Sequence, residues 1–320
     1  MRTAEQLMGR ELALAGNRAL FRGLRRDMDA AGRSPATIAA YNQGCRSLEG
    51  WLISHGHDGD LAAVDRELAA GWLTWLQQPK PRGGGYAKDS VVSYFRSVRR
   101  FYNFLTDDEV IGKSPLAKIP EPKESGKPIS CPDLDTIRAL IATCKPARGK
   151  PGFYDLRDEF IVRVFCEAGG PRCSEVADLP LDGLDLGSDV IQICGKGGKW
   201  RTIALSAKTA KAADRYMRAR KEHPYATSDR VVLGTAGPMG GNGIWQMIQR
   251  RCRQAAIEPL HPHQFRHAAA DRAKSAGMSE GDMMRLFGWS SSAMLHRYGA
   301  AQADRRAIEA ARKLSLGNEL

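Results

Sequence analysis

Apolar residues recur at helical spacing through the first third of the chain, and the polar residues between them mark where each helix starts. From about residue 17 to 120 the pattern reads as helices joined by short polar turns. The clearest helix opens with Ser34, which can cap it, and Pro35, which suits a first helical position. Ile38, Tyr41, Cys45, Leu48 and Leu52 then share one face. A later helix starts near Asp89 or Ser90 and places Val91, Phe95, Val98, Tyr102 and Leu105 on one stripe, with Arg96, Arg99 and Arg100 at i, i+3 and i+4 on another. That basic stripe suits a DNA backbone or plain solvent, and the pattern alone leaves both open.

The segment Pro120-Glu121-Pro122-Lys123-Glu124-Ser125-Gly126-Lys127-Pro128 is polar and punctuated by proline, so it neither continues a helix nor buries a core. A domain boundary is expected over 121–128. Beyond it, Leu134, Ile137, Leu140 and Ile141 mark another amphipathic helix, and most of the remainder is helical. The evident exception is Asp189-Val190-Ile191-Gln192-Ile193-Cys194, a glycine-rich turn, and Trp200-Arg201-Thr202-Ile203-Ala204-Leu205, which read as a β-hairpin with lysine at its tip. Near the end, Ala303, Ala307, Ile308, Ala311 and Leu314 form an apolar stripe on a terminal helix. The expected fold class is therefore mainly α. It comprises an N-terminal extension (1–16), a helical domain (17–120), a linker (121–128), a mixed α/β but mostly helical domain with a small hairpin (129–300), and a C-terminal helix (301–320).

Composition narrows the partners. A chain of 320 residues is long enough for two domains with separate cores. Its formal net charge of +12 creates a field that draws polyanions, of which nucleic acid is the commonest and an anionic membrane surface the alternative. No apolar run is long enough to span a membrane, and Met1-Arg2-Thr3-Ala4-Glu5 lacks the apolar core of a signal peptide, so the expected compartment is the cytoplasm. The seven cysteines contain no C-x-x-C pair, which argues against a zinc knuckle and a disulfide framework. His261, His263 and His267 cluster without a carboxylate or cysteine at ligand spacing, so no metal site is expected. Any phosphate chemistry here falls to arginine and lysine.

Candidates for that chemistry are scattered. Arg172 lies in Gly169-Gly170-Pro171-Arg172-Cys173-Ser174-Glu175, Lys196 in Gly195-Lys196-Gly197-Gly198-Lys199, and His263 with Arg266 in His263-Gln264-Phe265-Arg266-His267. Trp289 and Tyr298 follow. Two guanidinium forks can donate paired hydrogen bonds to non-bridging phosphate oxygens and offset the charge of a pentacovalent transition state. The lysine turn is no P-loop, because a strand follows it and neither lysine precedes Ser or Thr. Each motif alone is unremarkable: a surface arginine, a polar pair at a helix start, a packing tyrosine. In this order and at these intervals they resemble the tyrosine recombinases, the phage-integrase type of site-specific DNA recombinase, over most of the chain.

That resemblance implies more than the residues do. Residues 17–120 would form the helical, SAM-like core-binding domain that clamps the far side of the DNA, which turns Arg96, Arg99 and Arg100 toward its backbone. Tyr298 would attack the scissile phosphate to form a 3′-phosphotyrosyl link, Arg172 and Arg266 would hold the phosphate, and Lys196, rather than Lys199, would protonate the departing 5′-oxygen. His263 would take the tyrosine's proton or add a phosphate donor, and Glu175 would orient its neighbours. No metal or ATP is required. The implied partners are double-stranded DNA carrying recombination sites, three further copies of this chain in a homo-tetramer on two duplexes, and an accessory DNA-bending protein. The terminal helix would pack into a neighbouring subunit, while residues 1–16 are too few for the arm-site domain of some phage integrases.

Two departures stand out. Many family members carry histidine where this chain has Trp289, and indole donates a hydrogen bond but exchanges no proton. Gly169-Gly170-Pro171 stands where Thr-Gly and an aliphatic residue are commoner. The first departure favours a mobile-element integrase over a chromosome-dimer resolvase. A type IB topoisomerase-like enzyme and a non-cleaving DNA-binding regulator on the same scaffold are the remaining readings.

Overall fold

The computed structural model describes residues 4–79, 85–125, 130–146, 148–195, 197–292, 294–295, 307–308 and 311–312. The chain divides into two compact units, Met1–Lys127 and Pro128–Leu320.

Helix α1 (Ala4–Ala30) opens the first unit. Its early turns fall in the 1–16 stretch that patterning sets apart as an extension, and the reason is visible in burial: Met8 and Leu12 are exposed. Among the described residues the first buried side chain is Asn17, which donates to Glu49 Oε1 (2.6 Å) and the Gly59 carbonyl (2.8 Å). Helix α2 (Pro35–Ser54) starts where Ser34 Oγ accepts the Thr37 N–H, and it buries Ile38, Cys45, Leu48 and Leu52 with Trp51. Helices α3 (Arg66–Gln77) and α4 (Lys88–Asp107) complete the core, α3 with Trp72 and Leu76 and α4 with Val91, Phe95, Val98, Phe101, Tyr102 and Leu105. Gly44 allows α2 to approach α4 closely, since a Cβ there would lie 2.5 Å from the Ser97 Cβ.

The second unit is mostly helical around a small sheet. Helices α5 (Leu134–Ala142), α6 (Phe153–Phe165) and α7 (Cys173–Ala177) precede three antiparallel strands, β1 (Leu184–Asp185), β2 (Val190–Cys194) and β3 (Trp200–Ala204), in the order β1-β2-β3. The hairpin pairs Ile191 with Ile203, and both are buried. Then come α8 (Ala207–Arg220), a two-stranded turn of β4 (Leu233–Gly234) and β5 (Gly237–Pro238), α9 (Gly241–Gln254), α10 (Pro262–Ser275) and α11 (Glu280–Phe287). Phe160, Phe165, Ile193, Tyr216, Ile248 and Phe265 pack together as the core. Inside it, the wholly buried Asp158 accepts from Arg157 (2.6 Å) and Arg251 (2.9 Å), which ties α6 to α9. Removing one partner of such a buried pair costs about 3–5 kcal/mol. Among the described residues no helix is long and apolar enough to cross a membrane.

Candidate active site

Arg172 stands where a tight turn becomes a helix. Gly169 (φ +106°) and Gly170 (φ +39°) take left-handed backbone that a side chain would strain, and a Cβ on Gly170 would lie 3.0 Å from the Arg266 Cα. The unusual glycine pair therefore brings this turn against α10. Arg172 caps α7, where its backbone N–H donates to Glu175 Oε2 (2.6 Å) and its Nη1 to Oε1 (2.7 Å). Its side chain remains 27% exposed, whereas that of Glu175 is 2% exposed. Glu175 thus orients Arg172 without meeting solvent.

A second arginine completes this pair. Arg201 on β3 donates Nη1 to Glu175 Oε1 (2.9 Å), Nη2 to Oε2 (2.7 Å), and Nε to the Leu286 carbonyl (2.9 Å). Burial opposes ionisation of Glu175, but the bonds and charges of Arg201 and Arg172 outweigh it and bring the carboxyl down to about 2. Sequence reasoning passed over Arg201, although one signal was present: it alternates with the buried Ile203 onto the same face of β3, and a charge at such a position needs a partner.

Arg266 lies on α10 and is wholly buried. Its Nη1 donates to the Gly170 carbonyl (2.5 Å) and its Nη2 to the Phe287 carbonyl, which fixes the guanidinium plane between the turn before Arg172 and the end of α11. The guanidinium also lies 5.3 Å from the Phe287 ring centroid and 5.6 Å from that of Trp289. Helix α11 ends at Gly288 (φ +60°), and the Trp289 N–H returns to the Met284 carbonyl (2.9 Å), a glycine cap that turns Trp289 back onto the helix. His263 is exposed on α10, its ring 6.2 Å from that of the buried His267.

Arg172 and Trp289 line one cavity of about 410 Å³, with Lys199, Trp200, Arg201, Arg285 and Ser290. The structure thus brings together Arg172, Glu175, Arg266 and Trp289. Lys196 and Tyr298 lie outside the described residues, as do Ala303 and Leu314 of the expected terminal stripe. Cys173 has the character of a packing residue, since burial pushes its thiol up to about 11 and its Sγ donates to the Gly241 carbonyl (3.2 Å).

The basic stripe of the first unit has partners of its own. Arg96 pairs with Glu121 (2.6 Å) and Glu124 (3.1 Å), Arg99 with Glu121 (2.7 Å), and Arg100 with Asp27. Ser125 also donates its N–H to Asp89 Oδ1 (2.9 Å), so the described part of the expected linker runs along α4. Glu121 and Glu124, the acidic residues of this stretch, are the partners of Arg96 and Arg99.

The model for the phage integrase family matches residues 133–305. The tyrosine recombinase XerD of Listeria monocytogenes serotype 4b (strain F2365) is 26% identical over 262 residues, spanning 80% of this chain and 85% of that protein. Among solved structures, the XerH site-specific recombinase bound to its palindromic difH substrate has a TM-score of 0.68 at 15% identity, covering 89% of this chain and 82% of that one. The Tn1549 transposon integrase in complex with a circular intermediate DNA reaches 0.69 at 16% identity, covering 92% and 99%. Both structures share the fold.

Proposed function

The chain belongs to the phage integrase family, the tyrosine recombinases, and from that premise we propose how its residues cut and rejoin DNA. One observation carries the assignment: Arg172 and Trp289 line the same cavity, while Arg266 is bonded to the turn before the first and lies beside the ring of the second. A cavity walled by cations suits an anionic phosphodiester, and fixed donors stabilise charge that grows on its oxygens without reorganising.

In the proposed reaction the Tyr298 hydroxyl attacks the scissile phosphorus as the bond to the 5′-oxygen breaks, leaving a 3′-phosphotyrosyl link. Phenol is mostly protonated near neutral pH, so His263 takes its proton or, failing that, donates to a phosphate oxygen. Lys196 protonates the leaving 5′-oxygen. Arg172 and Arg266 hold the non-bridging oxygens, and Trp289 contributes its N–H without exchanging a proton. The covalent link retains the phosphoester energy, so a 5′-hydroxyl from a second duplex reverses the step and exchanges strands. The proposed assembly is a tetramer of this chain on two duplexes with specific sites, aided by a DNA-bending protein and coupled through residues 301–320.

Tyr298→Phe tests the nucleophile. It should keep DNA binding and lose the covalent adduct trapped with a suicide substrate on denaturing gels; an adduct formed by the variant would assign attack to another residue. Wild-type protein that binds DNA without forming an adduct would favour a non-cleaving regulator, and adducts without products joined between two duplexes would favour a topoisomerase. The finer role we favour is integration for a mobile element, which rests on Trp289. Repeats at attachment sites flanking the gene would support it, and their absence beside a chromosomal resolution site would oppose it.

A further inference from the structure

We propose that Arg201 is a positioning residue for strand cleavage, neutralising Glu175 so that the charge of Arg172 remains available to the phosphate. The inference deepens the recombinase reading and rests on it. Each nitrogen of the Arg201 guanidinium is engaged: Nη1 and Nη2 grip both carboxylate oxygens of Glu175, and Nε holds the Leu286 carbonyl, with 8% of the side chain exposed. Glycines flank it. A Cβ on Gly195 would lie 3.2 Å from Arg201 Nη1, and one on Gly288 would lie 3.3 Å from the same atom. One side chain therefore joins the strand leaving the lysine turn, the helix capped by Arg172, and the segment leading to Trp289.

The charge arrangement gives this node a role beyond packing. Two guanidinium groups face one buried carboxylate, which leaves these three side chains with one net positive charge between them. Without Arg201, Glu175 would keep only the donors of Arg172 among the bonds described, and its charge would cancel that of Arg172 just where an anion must bind. Lysine cannot substitute, because one ammonium cannot present a planar fork to Glu175 and also reach the Leu286 carbonyl.

Single-turnover cleavage of a suicide substrate by the full-length protein tests this. Arg201→Gln, which removes the positive charge while keeping an amide donor for Glu175, should bind a half-site within about twofold of wild type yet cleave about 10²-fold more slowly, as expected when a catalytic group is misplaced by about 1 Å. The loss should shrink on a methylphosphonate linkage, whose methyl group replaces one charged oxygen and so removes the demand for net positive charge. In an Arg172→Ala background, Arg201→Gln should slow cleavage little further, because the group it positions is gone. Arg201→Lys, which keeps the charge but not the planar fork, should show the same pattern in smaller degree, and it serves if the glutamine variant melts below the assay temperature. Cleavage at the wild-type rate, equal loss on the neutral linkage, or losses that multiply in the double variant would overturn the positioning role. Wild-type protein that forms no adduct would instead overturn the recombinase reading itself.

Discussion

Trp289 lies flat against Phe287, with ring centroids 4.6 Å apart and planes 18° from parallel. It is 6% exposed and also lines the cavity beside Arg172, so packing and site geometry meet in one side chain. Substitutions here therefore need two readouts.

Trp289→His should retain measurable cleavage, since imidazole can donate a hydrogen bond from nearly the same place, whereas Trp289→Ala should cleave less. The alanine variant should also lose about 3–5 kcal/mol of stability, the range for truncating a buried tryptophan. Adduct formation read beside thermal melting separates the effects. Equal cleavage losses that track the fall in melting temperature would reduce Trp289 to a core residue.

Where burial follows from spacing, the fold was readable. Ser34, Ile38, Cys45, Leu48 and Leu52 signal α2 because a stripe at i, i+3 and i+4 has one face to bury, and the short runs 189–194 and 200–205 on either side of a glycine-rich turn signal β2 and β3. Strands β1, β4 and β5 have two residues each, too few to show a period. No stripe marks residues 8–16 of α1, because none of their side chains is buried. The site divides similarly: its motifs carry Arg172, Glu175, Arg266 and Trp289, but Arg201 meets Glu175 across 26 positions and Arg251 meets Asp158 across 93, and no local pattern announces such pairs.

Lysine assignment in the hairpin turn is open to a chemical test. Lys199 lines the cavity, whereas the proposed acid, Lys196, is the residue that the family resemblance selects. Lys196→Ala should slow cleavage of normal DNA by roughly 10²–10⁴-fold, the usual contribution of a general acid. A substrate with sulfur at the bridging 5′ position should restore most of that loss, because sulfur leaves without the proton. Rescue of Lys199→Ala in its place would move the role to the lysine at the cavity wall.

The ion pairs of Arg96, Arg99 and Arg100 change what the basic stripe should do on DNA. If the stripe meets the backbone, phosphates must displace Glu121, Glu124 and Asp27. Neutralising the three arginines should then flatten the dependence of log affinity on log salt by about 0.9 per lost phosphate contact. Glu121→Gln with Glu124→Gln should act oppositely, tightening DNA binding by removing the competing anions. Binding titrations across salt concentrations decide it: slopes and affinities unchanged in both sets would leave the arginines serving only their own domain.

Glu175 should make the catalytic unit acid-sensitive in a defined window. Its carboxyl is held at about 2 in the folded protein, below the ordinary value of 4.5, so the folded state binds its proton less readily than the unfolded state. The resulting stability is present in full above the unfolded value and is lost as pH falls from about 4.5 toward 2. Glu175→Gln removes the titration while keeping the side chain's shape. Other carboxylates titrate in both proteins and largely cancel in the comparison. Unfolding free energies from urea titrations should therefore show wild type more stable than the variant above pH 5, with the gap narrowing steadily below it. A gap that stays constant to pH 2.5 would show that the carboxylate gains nothing from Arg172 and Arg201, and the same result would weaken the case that Arg201 holds Arg172 in place through it.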